Sequence, residues 1–376
     1  MHTMKANPMK IPFADLQSQY LEYKTQIDQR MQKVLDSASF INGPEVSELE
    51  SAMCEFVGSE HSIACANGTD ALTLALMALE VGHGDEVIVP AFSYFASAES
   101  VSLVGAKPIF VDVRPDTCNL EAEEVRPFIT EKTKAIIPVS LYGQTARMDE
   151  FQTLTQETNI AIIEDGAQSL GARYCEKNSG NLSLIGCTSF FPAKPLGCYG
   201  DGGMLFTSNE QIAEKLRSLR SHGQGKRYEH LRIGTNSRLD TLQAAVLLAK
   251  LPFYRNEIVR RQNTAIRYTQ ELGVIDELEL PIVLENHSSV WAQYTLKTSE
   301  RDQLQNHLKQ AGIPTAIHYP RPIHKQTAYA SQYHSVNCPV ADRLSQSVLS
   351  IPMSAFLKDE HQDFIIEKIK EFFAAS

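Results

Sequence analysis

One lysine stands where this chain could do covalent chemistry. Lys194 lies in Ser189-Phe190-Phe191-Pro192-Ala193-Lys194-Pro195-Leu196-Gly197-Cys198-Tyr199-Gly200-Asp201-Gly202-Gly203. Five glycine and proline positions follow it within nine residues, a density that fixes a tight backbone path rather than a helix or strand. A lysine stem enclosed between aromatics and such a turn, with no carboxylate partner, has a lowered ammonium pKa and becomes a nucleophilic amine able to form Schiff bases. A solvated loop lysine is the alternative reading.

Three further constellations are compatible with a site around it. Ala161-Ile162-Ile163-Glu164-Asp165 reads as a strand ending in a carboxylate, followed by Gly166-Ala167-Gln168-Ser169. A buried carboxylate there needs a cation, such as a protonated pyridine nitrogen; a helix-capping aspartate is the simpler alternative. Ser62-Ile63-Ala64-Cys65-Ala66-Asn67-Gly68-Thr69-Asp70 leads a strand into a helix. Free amides and the helix dipole at such a turn make a phosphate seat, while capping by Thr69 or Asp70 could hold alongside it. The ATP and dinucleotide glycine fingerprints are absent. In Pro90-Ala91-Phe92-Ser93-Tyr94-Phe95, Phe92 and Phe95 read as core and Tyr94 as a stacking partner for a planar ring. A lysine, an aspartate, a phosphate seat and a stacking aromatic together describe a pyridoxal phosphate pocket.

The elements that must position these groups alternate along the chain. Short apolar runs at 62–65, 86–89, 107–111, 135–139, 161–163, 188–191 and 204–207 predict strands. Amphipathic patterns at 71–79, 95–104, 122–128, 148–157 and 210–219 predict helices. That alternation predicts an α/β fold with a mainly parallel seven-stranded sheet covered on both faces. Before it, Leu16, Tyr20, Tyr23, Ile27, Met31, Val34 and Leu35 predict one long helix within 11–40; Asn42-Gly43-Pro44 breaks it, and 46–56 predicts another. After it come a basic loop at 223–236, helices at 239–251 and 258–272, and a linker at 281–287. A smaller α+β unit follows, with strands at 290–297 and 315–319 and helices at 302–311 and 361–373. We therefore expect a large domain over 11–255 and a small one over 256–376.

Bulk composition narrows the function class. The 376 residues carry a net charge of −10 and no basic stripe, which argues against nucleic acid and anionic membrane surfaces as partners. No apolar run is long enough to span a bilayer, and 1–10 lacks the apolar core of a signal peptide and reads as a loose leader. The seven cysteines are odd in number, scattered and never in a C-x-x-C pair, as expected of reduced thiols in a cytoplasm rather than of a zinc site.

The motifs resemble those of the sugar aminotransferases of the DegT/DnrJ/EryC/StrS type, fold-type I pyridoxal phosphate enzymes that aminate keto groups on nucleotide-linked sugars. The resemblance runs from about Ile11 to the C-terminal helix. It is carried by Ala66-Asn67-Gly68-Thr69-Asp70-Ala71-Leu72, Glu164-Asp165-Gly166-Ala167-Gln168-Ser169, the Lys194 stretch, Gly200-Asp201-Gly202-Gly203 and Gly234-Thr235-Asn236-Ser237-Arg238-Leu239-Asp240. It implies that Lys194 is the Schiff-base lysine and that Asp165 pairs with the pyridine nitrogen. It places Gln168 near the ring hydroxyl and Tyr94 on the ring, with Gly68, Thr69 and Ser189 holding the phosphate. Asn236 would reach that phosphate from the neighbouring subunit of a homodimer with shared sites. Relatives with histidine at the lysine position are dehydratases, so Lys194 favours transamination over that reading, and over a non-catalytic regulator.

Within the family, Phe-Phe-Pro-x-Lys-Pro-Leu-Gly-Cys-Tyr-Gly-Asp-Gly-Gly and Asn-Ser-Arg-Leu-Asp-Thr-Leu-Gln-Ala-Ala are most similar to enzymes that aminate C3 of a UDP-linked 2-acetamido-3-keto-hexuronate with glutamate, for surface polysaccharides such as O-antigen. By that resemblance Arg238, His318 and Tyr319 contact the sugar. The anionic substrate needs local cations, for which Arg238, His318, Arg321, Lys226 and Arg227 are the candidates. Two positions depart from the pattern: Ala193 replaces a frequent serine, and Phe40 replaces a tyrosine in the pocket. Each loses a hydroxyl, which keeps a nucleotide-linked 6-deoxy-keto-hexose open as the alternative substrate.

Overall fold

Seven short runs of apolar and small residues assemble into one sheet in the computed structural model, which describes residues 10–374. The strands are β1 His61–Cys65, β2 Glu86–Pro90, β3 Lys107–Val111, β4 Thr133–Ile136, β5 Ala161–Asp165, β6 Ile185–Ser189 and β7 Gly203–Thr207. Their order across the sheet is β1-β7-β6-β5-β4-β2-β3. The pairs from β3 through β2, β4 and β5 to β6 are parallel, whereas β7 is antiparallel to both β6 and β1. Six strands therefore point one way and only β7 opposes them. Near-continuous burial of β2, β5 and β7 is what a sheet covered on both faces requires. The main apolar cluster lies on this sheet and joins Ile63, Leu74, Ile88, Phe110, Ile136, Phe151, Ile163 and Leu205. The expected leader lies outside the described residues apart from Lys10, and no helix among the described residues is long and apolar enough to cross a membrane.

Strand and helix boundaries differ from expectation where backbone hydrogen bonding overrides the apolar run. The strand expected at 188–191 is Ile185–Ser189. Gly186 is inside it and lies so close to the Gly180 backbone that a Cβ there would stand 2.3 Å from the Gly180 carbonyl oxygen. Phe190 and Phe191 instead enter the turn that carries Lys194. The strand expected at 135–139 ends at Ile136, with Pro138 beyond it unable to donate to the ladder. The helix expected within 11–40 is Leu16–Ser37, started by Asp15, whose side chain accepts from the Ser18 amide.

The two helices expected at 239–251 and 258–272 are one helix, Thr241–Leu272. At 1.5 Å per residue its 32 residues span about 48 Å. Pro252 removes one N–H but does not end it. The residues around it are held by packing, including the stacked pair Tyr23–Phe253 at 4.5 Å and the fully buried Tyr254, whose hydroxyl donates to the Leu170 carbonyl at 2.6 Å.

The C-terminal part contains an antiparallel pair, β8 Tyr294–Lys297 with β9 Val348–Ile351, and the helices Arg301–Gln310 and Asp359–Ala374. Its apolar cluster, with Leu296, Leu304, Leu349 and Ile365, also takes in Ile11 from the other end of the chain and Ala265, Tyr268 and Leu272 from the long helix. The strand expected at 315–319 is reduced to one bridge, Ala316 to Ser350, because prolines at 320 and 322 supply no donors. His318 and Tyr319 are thereby free to turn towards the sheet.

Candidate active site

Because β1, β2, β5 and β6 run in the same direction, the turns that follow them all open at one edge of the sheet, where open α/β sheets bind ligands. Those turns carry Gly68 and Thr69, Tyr94, Asp165 and Gln168, and Ser189 and Lys194 respectively.

At the end of β1 the helix Gly68–Ala78 is capped by Asn67, whose side-chain oxygen accepts from the Asp70 amide at 2.8 Å. Asn67, rather than Thr69 or Asp70, does the capping. The amides of Gly68 and Thr69 are left with no acceptor among the described residues and with the positive end of the helix dipole behind them. The cradle has no room to spare. A Cβ on Gly68 would stand 2.7 Å from the Ser189 Cβ, and one on Gly203 would stand 2.4 Å from the Asn67 carbonyl carbon. Ser189 is thus fixed beside the open amides.

Asp165 is 5% exposed. No helix follows it, so it is not a helix cap; its Oδ1 accepts from the Ala167 amide at 3.2 Å inside a turn. Oδ2 accepts from the Ser97 hydroxyl at 2.8 Å, and Ser97 is in turn 3.2 Å from the Ser93 hydroxyl. Burial raises the carboxyl's pKa, opposed by Ser97, the Ala167 amide and the charge of Lys194. Burial lowers the pKa of Lys194, opposed by Asp165. The Lys194 amine has no ion pair and no side-chain hydrogen bond among the described residues. It is the unpaired amine that its sequence context suggested.

Gln168 is buried. Its Nε2 donates to the Tyr319 hydroxyl at 3.0 Å and its Oε1 accepts from the Tyr142 amide at 2.8 Å. The Tyr319 ring meets Phe92 edge-on and Tyr94 at a tilt, both at 6.1 Å between centroids. Phe92 is buried, as expected of core, while Tyr94 is 59% exposed, with a free face for a planar ligand. His318 Nδ1 is 2.8 Å from the Ser350 hydroxyl, which is 2.9 Å from that of Thr295.

Burial, with the charge of Lys194, brings the His318 pKa down to about 4. His318 is therefore neutral at neutral pH and is not one of the local cations anticipated for the substrate. Its folded pKa lies below the ordinary imidazole value, so on acidification from about pH 6.5 towards 4 the unfolded chain takes up a proton that the folded chain refuses. Stability to urea is expected to fall across that window. Denaturation curves of wild type and His318→Asn at pH 7, 5.5 and 4.5 check it: the part of the fall due to His318 disappears in the variant.

Phe40, Asn236 and Arg238 occupy a second neighbourhood. The Phe40 carbonyl accepts from the Thr241 amide at 3.0 Å, Ile41 bridges Asp240, and the Ser237 hydroxyl accepts from the Ala66 amide at 3.3 Å. Within one chain none of the three bonds to Lys194, Asp165 or Gln168. Arg238 has no ion-pair partner among the described residues, not even Asp240, and its Nε is buried without a hydrogen bond. Arg321, Lys226 and Arg227 are exposed.

Sequence reasoning missed Ser97, Tyr142 and Ser350. Tyr142 joins the two halves of the site, its amide on Gln168 and its hydroxyl donating to the His318 carbonyl. Its only local signal is the Gly143 that follows, at φ +111°, where a Cβ would stand 2.7 Å from the Trp291 amide nitrogen.

The residues present fit pyridoxal phosphate. There are open amides for a phosphate, a buried carboxylate that a ring cation would satisfy, an unpaired amine and an exposed aromatic face. The comparisons with known proteins agree with this chemistry. The chain is 50% identical over 347 residues to a Pseudomonas aeruginosa UDP-2-acetamido-2-deoxy-3-oxo-D-glucuronate aminotransferase, covering 92% of this chain and 96% of that one. It is 42% identical to a Geobacillus stearothermophilus pleiotropic regulatory protein, over 97% of this chain and 99% of the other. The structure of NtdA from Bacillus subtilis with bound cofactor PMP superposes with a TM-score of 0.91 at 27% identity, covering 99% of this chain and 87% of that one. Residues 22–370 match the DegT/DnrJ/EryC1/StrS aminotransferase family, and the chain belongs to that family.

Proposed function

We propose that the protein moves an amino group from glutamate to C3 of a UDP-linked 2-acetamido-3-keto-hexuronate, with pyridoxal phosphate as cofactor. The observation that carries this is an unpaired Lys194 amine close enough to buried Asp165 for their charges to act on each other, with the open Gly68 and Thr69 amides at the same edge of the sheet. The 50% identity to a 3-oxo-glucuronate aminotransferase supports the sugar. When bound, the cofactor supplies an electron sink for amino-group transfer. The chain's own groups do the rest. Gly68, Thr69 and Ser189 would hold the phosphate, and Asp165 would hold a proton on the ring nitrogen. Tyr94 would pack on the ring, and Gln168 would bond its hydroxyl. Lys194 Nζ would take and return the proton of the substrate.

We further infer a homodimer. Tyr228, Leu231 and Ile233 are exposed at 80%, 59% and 89% on the loop before Asn236, and such an apolar surface suits a partner. In that arrangement the partner subunit's Asn236 reaches the phosphate, and the partner subunit's Arg238 reaches the sugar, beside His318, Tyr319 and Phe40. We keep the division into 11–255 and 256–376 as a proposal: the C-terminal part has an apolar cluster of its own around Leu296, Leu304 and Ile365, while Ile323, Tyr329, Tyr333 and Leu344 pack into the sheet's cluster and the long helix crosses between the two. Seven unpaired cysteines suit a cytoplasmic enzyme, one making a sugar for surface polysaccharide.

Arg238 carries the specificity. A buried guanidinium nitrogen without a partner is costly unless an anion arrives, and its fork binds a planar carboxylate in two places. Arg238→Lys is therefore expected to cut the preference for the uronate over a 6-deoxy-keto-hexose nucleotide by about tenfold or more, roughly one charged hydrogen bond, with little change in the glutamate half-reaction. An unchanged preference removes Arg238 from the sugar carboxylate.

A further inference from the structure

Lys250 lies on the helix Thr241–Leu272 and is completely buried. Its Nζ donates to the Gly197 carbonyl at 2.6 Å and stands 4.3 Å from the centre of the Tyr199 ring. No carboxylate comes within ion-pairing distance of it among the described residues. Glu257, two turns along the same helix and also buried, is occupied by the Gln19 amide, which donates to its two oxygens at 3.1 and 2.9 Å. A buried ammonium without a paired carboxylate costs free energy that a methionine of similar length would not. That cost is compensated only by what the ammonium holds.

What it holds is the turn bearing Lys194. Cys198 returns to Phe190 through an amide-to-carbonyl bond of 2.8 Å, and inside that closure the Lys194 amide donates to the Phe191 carbonyl at 2.8 Å. The turn is wound tightly enough that a Cβ on Gly197 would stand 2.4 Å from the Pro192 carbonyl oxygen and 2.7 Å from that of Phe191. A shift of Gly197 is therefore transmitted directly to the residues flanking Lys194. Without Lys250 the Gly197 carbonyl faces the interior with no donor.

We propose that Lys250 is a positioning residue: by fixing the Gly197 carbonyl from beneath, it sets where the Lys194 amine stands in the site. This rests on Lys194 being the reacting amine. A displacement near 1 Å of a reacting group can cost about 100-fold in rate, so the effect belongs in kcat rather than in binding.

The test is Lys250→Met, purified with cofactor. The expected result is a protein that still binds cofactor and whose KM for glutamate changes by less than about threefold. Its kcat falls by about tenfold or more, and the pH midpoint of the cofactor's visible band is displaced. A variant with wild-type kcat and an unmoved band, but a lower melting temperature, overturns the proposal and makes Lys250 a packing residue. Should Lys250→Met not fold, Lys250→Gln keeps a donor with a shorter reach and is expected to show the same displaced band with a smaller loss of kcat. If neither variant folds, the role is structural and the proposal fails. Lys194→Ala, measured alongside, separates the two claims. Turnover surviving in Lys194→Ala refutes the assignment of Lys194, whereas an unmoved band in Lys250→Met with an inactive Lys194→Ala refutes only the positioning role.

Discussion

Lys194→Ala is expected to abolish turnover, by at least about 10⁴-fold, while the protein folds and still takes up cofactor through the phosphate seat. Among the described residues the Lys194 amine makes no ion pair or side-chain hydrogen bond, and burial works against its charge. Truncation therefore removes no native hydrogen bond and relieves a desolvation cost, which offsets the loss of the charge that Lys194 sets against Asp165, so the melting temperature should stay close to that of wild type. The rate has no such cushion. The amine is the proposed covalent anchor and the proton carrier at the reacting carbon, and a positioned acid–base group alone contributes about 10²–10⁴-fold. Steady-state kinetics with glutamate, a thermal melt and cofactor absorbance check all three parts. Substantial turnover in a folded variant would rule Lys194 out.

Asp165→Asn is expected to cost about 10²–10⁴-fold in kcat and far less in cofactor affinity. The amide oxygen can still accept from the Ala167 amide, 3.2 Å away in wild type, while the NH2 group donates to the Ser97 hydroxyl oxygen at the 2.8 Å contact, reversing that bond but keeping the pose. It cannot hold a proton on a ring nitrogen. Stability gives an independent check. The folded pKa of Asp165 is raised by burial, so in the chain without cofactor the carboxylate is a liability above the ordinary carboxyl pKa, where the unfolded state is the more readily ionised. Apo Asp165→Asn should then be at least as stable as apo wild type at pH 7, and the order should narrow as cofactor is added. Near-normal kcat in Asp165→Asn would sink the assignment of Asp165.

The parts of the site that were legible in the sequence sit at strand ends. Strand ends carry a sharp local signal, an apolar run followed by small or turn-forming residues, and a parallel sheet gathers them at one edge whatever the details of packing. Lys194, Asp165, Gly68 and Tyr94 are read that way, and the structure brings their strand ends to one edge of the sheet. The phase of β6 is not read that way, because Gly186 belongs to the strand and lies against the Gly180 backbone, a contact with no trace in local composition. The single helix across Pro252 was missed because tertiary packing of Tyr23 on Phe253 and of Tyr254 outweighs one lost hydrogen bond. Ser97, Tyr142 and Ser350 act through single hydroxyls or amides, and one hydroxyl has no spacing to read. His318 was read as a cation because an isolated sequence position does not show the burial that keeps it neutral.

Lys194, Asp165 and Gln168 stand at the same sheet edge of one chain, whereas Arg238 has a buried nitrogen without a hydrogen bond and makes none to them. Phe40 is 45% exposed and offers only an apolar face. In the proposed site one charged contact, from Arg238, separates a uronate from a 6-deoxy sugar.

The most direct measurement is amino transfer from ¹⁵N-glutamate, comparing a UDP-linked 2-acetamido-3-keto-hexuronate with a nucleotide-linked 6-deoxy-keto-hexose. The account predicts ¹⁵N at C3 of the uronate, with the higher kcat/KM on that substrate. A higher kcat/KM on the 6-deoxy sugar, or label that never leaves glutamate in the presence of the uronate, would contradict it.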